Sequence, residues 1–228
     1  MLDGATGKLK WFRQVIAHDV RDYDLMISPV LYTPASGSQL VFGAGKMGKV
    51  FAWNAANGRA VWQAKVGKHL NDTGPLPKKP VTTCPGEFGG VETPLAQANG
   101  TLFVPWLNLC VVQSATSLSV PANAFTKATG GLTAFNAATG KVTWQKTLPH
   151  PNFGAATVAN DVVFTSDFTG KIYAFSTANG KRLWSAQAPA GVNAFPAVTN
   201  RMLLVGAGTP GLGTNPKPRY ELVAYELR

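Results

Sequence analysis

Acidic residues are scarce in this 228-residue chain: 11 Asp and Glu stand against 21 Lys and Arg, a formal net charge of +10. Only 14% of residues are charged, below the usual globular share, so few groups are left for acid–base work. The three histidines, His18, His69 and His150, show no metal-ligand spacing. Cysteine occurs twice, as Cys84 and Cys110, and not as C-x-x-C, which gives thiol-based metal or thioredoxin-type chemistry little support. Read from residues alone, the two thiols form a disulfide or sit as separate buried groups. No apolar run approaches the ~20 residues of a membrane helix. The start, Met1-Leu-Asp-Gly4, has neither the basic nor the apolar segment of a secretion signal and already lies inside a repeat. The expectation is therefore a piece of a longer protein. The cations are not interleaved with aromatics as in a nucleic-acid groove, so no nucleic-acid partner is expected. Lys8, Arg59, Lys141 and Lys181 share one turn position, the pattern of solvated turns. Attraction to an acidic partner or an anionic surface remains open but nonspecific.

Turn-forming residues are abundant instead, with 24 Gly and 16 Pro spread along the length. Four units align without gaps: Asp3-GATGKLK-Trp11, Asn54-AANGRAV-Trp62, Asn136-AATGKVT-Trp144 and Ser176-TANGKRL-Trp184. Asp, Asn or Ser at the first position bonds its own backbone, and Gly at the fifth takes the positive φ that closes a hairpin. A short strand precedes the later turns: Val50-Phe-Ala-Trp53, Leu132-Thr-Ala-Phe135 and Ile172-Tyr-Ala-Phe175, with Leu222-Val-Ala-Tyr225 a further one. Two more strands come before each, as in Ala155–Val158 with Val162–Thr165 and Phe195–Val198 with Met202–Val205.

Four strands per unit and a period near 40, Trp144 to Trp184, predict an all-β fold, a β-propeller of four-stranded antiparallel blades. The chain holds about four blades' worth. Three are intact, and the C-terminal third strand and N-terminal turn-and-Trp strand are complementary pieces of a fourth, so ends joined tail to head would remove an exposed edge. Residues 1–228 read as one propeller domain with long Pro-, Gly-, Ser- and Thr-rich loops at about 67–90 and 107–130.

Two glycine motifs are not nucleotide sites. Gly43-Ala-Gly-Lys-Met-Gly48 fits G-x-G-x-x-G, but a strand follows where a phosphate-binding helix is needed. Gly206-Ala-Gly-Thr-Pro-Gly211 is followed by Pro216 and Pro218 and reads as a loop. Chemistry is expected first at His18-Asp-Val-Arg-Asp-Tyr-Asp24, which puts three carboxylates and a histidine into seven residues. The plain alternative is a solvated link whose aspartates hold the loop by local backbone bonds.

The turn-and-Trp unit, the acidic stretch before Ser28-Pro-Val-Leu31 and the later Cys84-Pro-Gly…Gly89-Gly…Cys110 resemble the pyrroloquinoline quinone (PQQ) dehydrogenase propellers, eight-bladed periplasmic alcohol and sugar dehydrogenases. The chain is similar to their C-terminal half, and also to PQQ-like repeat proteins of the envelope. The resemblance implies that Asp22 binds calcium and acts as general base toward a substrate hydroxyl. It implies that Lys46 contacts the quinone oxygens and that Glu92 stands at a cofactor-contacting position, where those enzymes have Asn. It also implies a Cys84–Cys110 disulfide and a periplasmic or extracellular location. Arg21 replaces a Trp and Phe153 another, and the remaining ligands of the family site come from blades absent here. The expected partners are a small alcohol or sugar, or a protein bound by a noncatalytic scaffold, with a homodimer of half-propellers as one way to complete the ring.

Overall fold

Every complete turn-and-Trp unit joins the third and fourth strands of one sheet. The computed structural model describes residues 1–35, 37–210 and 217–226. The first blade is β1 (Val30–Tyr32), β2 (Leu40–Gly45), β3 (Lys49–Asn54) and β4 (Ala60–Lys65), antiparallel and in chain order. After β5 (Val81–Thr83), the second blade takes β6 (Ala96–Ala98) and β7 (Thr101–Asn108). A detour through β8 (Val111–Gln113), β9 (Leu118–Ser119) and the short helix α1 (Ala124–Lys127) precedes its outer strands, β10 (Thr129–Asn136) and β11 (Val142–Leu148). The third blade is β12 (Thr157–Ala159), β13 (Val162–Ser166), β14 (Lys171–Ser176) and β15 (Arg182–Gln187). The fourth sheet has three strands, β16 (Ala197–Thr199), β17 (Met202–Ala207) and β18 (Glu221–Glu226).

Period-two alternation gives each blade two apolar faces, one for each neighbour. Phe42, Ala44, Val50 and Ala52 pack on Leu102, Val104 and Trp106 of the second blade. Phe103, Leu132 and Ala134 meet Val163, Tyr173 and Phe175 of the third, and Ile172 meets Leu203 and Val205 of the fourth sheet. Each large side chain buried this way contributes about 1.5–3 kcal/mol.

The tryptophans explain why the repeat conserves its turn from one unit to the next. Trp11 Nε1 donates to the Ala55 carbonyl at 2.9 Å, Trp62 to Ala137 at 3.0 Å and Trp144 to Thr177 at 2.8 Å. Each indole also covers the fifth-position glycine of the next turn; a Cβ on Gly58 would lie 2.6 Å from the Trp11 ring, and on Gly140 2.6 Å from Trp62. Those glycines thus need both their positive φ (70° at each) and their missing side chain. Trp184 has no such seat among the described residues and packs edge-on against Tyr225 at 5.3 Å.

Two expectations are refined. The N-terminal unit folds on itself, Leu2 bridging Leu9, and among the described residues it joins no sheet and makes no tail-to-head pairing with β18. The long excursions are not wholly irregular: β5, β8 and β9 pair into a small extra sheet, and Cys84 and Cys110 are joined by a disulfide. Of the glycine motif at 206–211, Gly211 lies outside the described residues, as do Pro216 and the last two residues of the chain. No described helix is long and apolar enough to cross a membrane.

Candidate functional site

Lys46 sits at the hairpin corner between β2 and β3, inside the motif that mimics a phosphate loop. The corner is a tight turn, Gly48 N–H donating to Gly45 O at 2.9 Å, and a strand follows it. Two distant segments close over it. The acidic stretch lies on Gly45, where a Cβ would come within 1.9 Å of the Asp24 carbonyl, and Lys46 N–H donates to that carbonyl at 3.0 Å. From the other side, Val91 N–H donates to Gly45 O at 3.1 Å, and a Cβ on Gly90 would lie 2.2 Å from Lys46 O.

Lys46 is only 8% exposed, yet its Nζ lies 2.6 Å from Asp22 Oδ2 and 2.9 Å from Asp24 Oδ2. Burial disfavours its charge, but the hydrogen bonds and attraction of both carboxylates outweigh that and hold its pKa above the usual lysine value. Glu92 faces the same lysine, and its Oε1 is buried without a protein hydrogen-bond partner. Burial pushes the Glu92 carboxyl up to about 7; Lys46 pulls it down, and Asp22 and Asp24 push it up further.

The carboxylates of the acidic stretch divide by role. Asp19 is structural: its two oxygens accept from the backbone N–H of Arg21 at 2.9 Å and of Tyr23 at 2.6 Å. Asp22 and Asp24 are more than half exposed and point at Lys46. Asp22 holds a left-handed backbone at φ 60°, uncommon for a residue with a Cβ. The stretch is stapled on both flanks. Buried Arg21 donates to the carbonyls of Gly74, Thr73 and Pro75, and Tyr23 Oη donates to Pro85 O at 2.6 Å, beside the disulfide.

The structure thus brings Asp22, Lys46 and Glu92 together. Asp24, a third carboxylate of the acidic stretch, joins them at Lys46, where the resemblance had singled out Asp22 alone. His18 stays exposed and apart. A cleft of about 690 Å³ lies behind the stretch, lined by Val15, Ile16, Met47, Phe51, Arg21 and Asp72 among others, and does not include Asp22, Lys46 or Glu92. Asp72 is bonded to His69 Nδ1 at 2.6 Å and Arg21 Nη1 and Nη2 to the carbonyls above, although Arg21 Nε is buried without a partner. The charge cluster around Lys46 is therefore the stronger candidate.

Successive antiparallel sheets locked by Trp-on-Gly seats make an all-β repeat array of propeller-type blades. A family model described as "Outer membrane protein assembly factor BamB" matches residues 107–225, and one described as "Glucose/ethanol/alcohol dehydrogenase, beta-propeller domain" matches residues 1–86. The chain belongs to the PQQ-dependent dehydrogenase-like β-propeller family. It is 27% identical to a polyvinylalcohol dehydrogenase of Pseudomonas sp over 92% of its length and 35% of that protein's. It is 26% identical to the quinohemoprotein alcohol dehydrogenase of Comamonas testosteroni over 86% of its length and 34% of that protein's. The crystal structure of the Comamonas enzyme superposes with a TM-score of 0.72 over 91% of this chain and 38% of that one at 23% identity. A europium-containing methanol dehydrogenase gives 0.73 over 92% and 44% at 18% identity. The chain therefore spans about a third of the length of the curated relatives it matches.

Proposed function

We propose that this chain supplies part of the active site of a PQQ-dependent alcohol or sugar dehydrogenase in the periplasm. The observation that carries the reading is the contact between Asp22 and Lys46, 24 residues apart in sequence, at 2.6 Å. A quinone held there would supply hydride acceptance from the carbon that bears the substrate hydroxyl. Lys46 offers a held positive charge where quinone oxygens gain negative charge, so it fits that group. Asp22 takes the hydroxyl proton on its carboxylate as the carbon–hydrogen bond breaks. Glu92 adds a carboxyl whose unpartnered Oε1 accepts a ligand hydrogen bond when ionised. Calcium fits less well. No group of three His, Cys, Asp or Glu among the described residues could hold a metal ion, and two of the carboxylates already grip Lys46. The disulfide suits an oxidising compartment.

The test is quinone binding and dye-linked alcohol oxidation by the longest natural form of the protein, followed in Asp22→Asn and Lys46→Met. Full activity of Asp22→Asn would remove Asp22 from the mechanism, and unchanged quinone affinity of Lys46→Met would remove Lys46 from the site. A second reading, a noncatalytic envelope scaffold, is favoured by the assembly-factor match over 107–225, which contains none of the site residues. Lack of any quinone absorbance or thermal shift supports it. Completion of the ring, by further blades or by a second copy, belongs to the same proposal, because β18 has a free edge and Trp184 has no seat among the described residues. Solution mass of the 228-residue chain tests the pairing.

A further inference from the structure

The two ends of the first blade differ in charge. The corner end of β3 holds Lys46 with Asp22, Asp24 and Glu92. Six residues along the strand, about 20 Å away at ~3.3 Å per residue, is the Asn54–Gly58 turn. Trp11, Trp62 and Trp144 each sit on the following turn, so the four turns form one continuous row. The residue after the fifth-position glycine is basic in all four: Lys8, Arg59, Lys141 and Lys181, all exposed and none in an ion pair among the described residues. Arg13 reaches across to the Gly58 carbonyl, and Lys146 lies against Gly180, which adds cations between the turns. Of the acids at this end, Asp3 is spent on Lys10 at 3.1 Å, and exposed Asp161 lies beside the last turn, its carbonyl accepting from Thr177 N–H at 2.9 Å.

Each turn cation has an exposed aliphatic neighbour one or two residues on: Leu9 63%, Val61 48%, Val142 54% and Leu183 53% exposed. Single exposed aliphatics need no explanation, but recurrence beside every cation does. An open recess of about 440 Å³, lined by Arg59, Asn54, Val61 and Ala138 among others, lies in the same row.

We propose that this row is a docking surface for an anionic lipid bilayer. The cations meet lipid phosphates, the aliphatic side chains enter the headgroup boundary, and the Lys46 end faces away from the membrane. A laterally spread set of like charges, each with an apolar companion, suits an extended anionic surface better than a single acidic site.

The test is sedimentation of the full chain with vesicles of phosphatidylcholine alone and with about a third phosphatidylglycerol. Binding is expected only to the anionic vesicles and falls as salt rises toward 0.5 M, because such contacts are screened within ~8 Å at physiological ionic strength. The combined Lys8→Gln, Arg59→Gln, Lys141→Gln and Lys181→Gln variant loses about fivefold per cation, at least a hundredfold in all. It stays folded, because the turn uses these residues' backbone: Arg59 N–H donates to Asn57 Oδ1 and Lys181 N–H to Asn179 Oδ1, both at 2.9 Å. A control removing the same charge elsewhere, at Lys65, Lys68, Lys78 and Lys79, retains binding. Equal loss in the two variants assigns the effect to net charge and overturns the proposal. So does binding to polyglutamate through the row without binding to vesicles, which would make the partner an acidic protein.

Discussion

The same hairpin corner is built in two ways in the first and third blades. In the third, Asp167 stands at the corner between β13 and β14 and is fully buried. It accepts from Thr169 N–H and Oγ1, from Lys171 N–H at 3.3 Å and from Tyr173 Oη at 2.7 Å. Every donor lies within six residues, so the charge is satisfied by its own turn. In the first blade the equivalent position is Gly45, with Lys46 beside it, and the partners arrive from segments 22–24 and 90–92. The first arrangement is architecture: a buried carboxylate with its bonds filled. The second leaves half-exposed carboxylates and an unpartnered Glu92 oxygen around a buried cation, which is what a ligand-ready site needs. Satisfaction of bonds, more than presence of charge, separates the two.

The comparison breaks most visibly at Asp167. Asp167→Ala strands those donors in the interior and lowers unfolding stability by about 3–4 kcal/mol in urea titrations, while leaving quinone affinity unchanged. Gly45→Ala does the reverse. Its methyl collides with the Asp24 backbone, costs about 2–3 kcal/mol and drives the acidic stretch off Lys46, so quinone binding is lost with the fold retained by circular dichroism. Glu92→Gln sharpens the contrast through pH. The folded carboxyl titrates near 7 against an ordinary 4.5, so between those values the folded state keeps a proton the unfolded state has released. Stability of the parent chain therefore falls as pH rises through that window and levels off above it. The fall from this group is about 1–2 kcal/mol after discounting for its solvent-facing edge, and Glu92→Gln flattens it. The smallest effect is expected of Tyr23→Phe, which deletes one bond to Pro85 O and costs about 1 kcal/mol. It is read as faster amide exchange across residues 19–24.

The blades were legible because the turn, the glycine and the Trp recur in register, and each has a physical duty in the seat between neighbours. Asp22, Lys46 and the disulfide came from resemblance, and the structure places the first two in contact and joins the cysteines. The local-bonding alternative for the acidic stretch holds for Asp19 alone. Asp24 and the staple from Arg21 to Gly74 were not legible, since both depend on how a long excursion returns over the corner. The small β5–β8–β9 sheet was hidden for a related reason. Its strands are two or three residues long, too short for any alternation to register, and β5 meets β8 only across a wide gap in sequence.

The tryptophan seats carry a further consequence for how the molecule comes apart. Each seat links a blade only to its immediate neighbour, so cooperativity travels along a line, as in repeat proteins. Opening begins where the line is weakest. Among the described residues Trp184 lacks the seat that Trp11, Trp62 and Trp144 possess, so in this chain β16–β18 exchange their amide hydrogens first and β7 and β10, flanked on both sides, last. The protein would then fray from one end, like a zip with its last tooth unengaged.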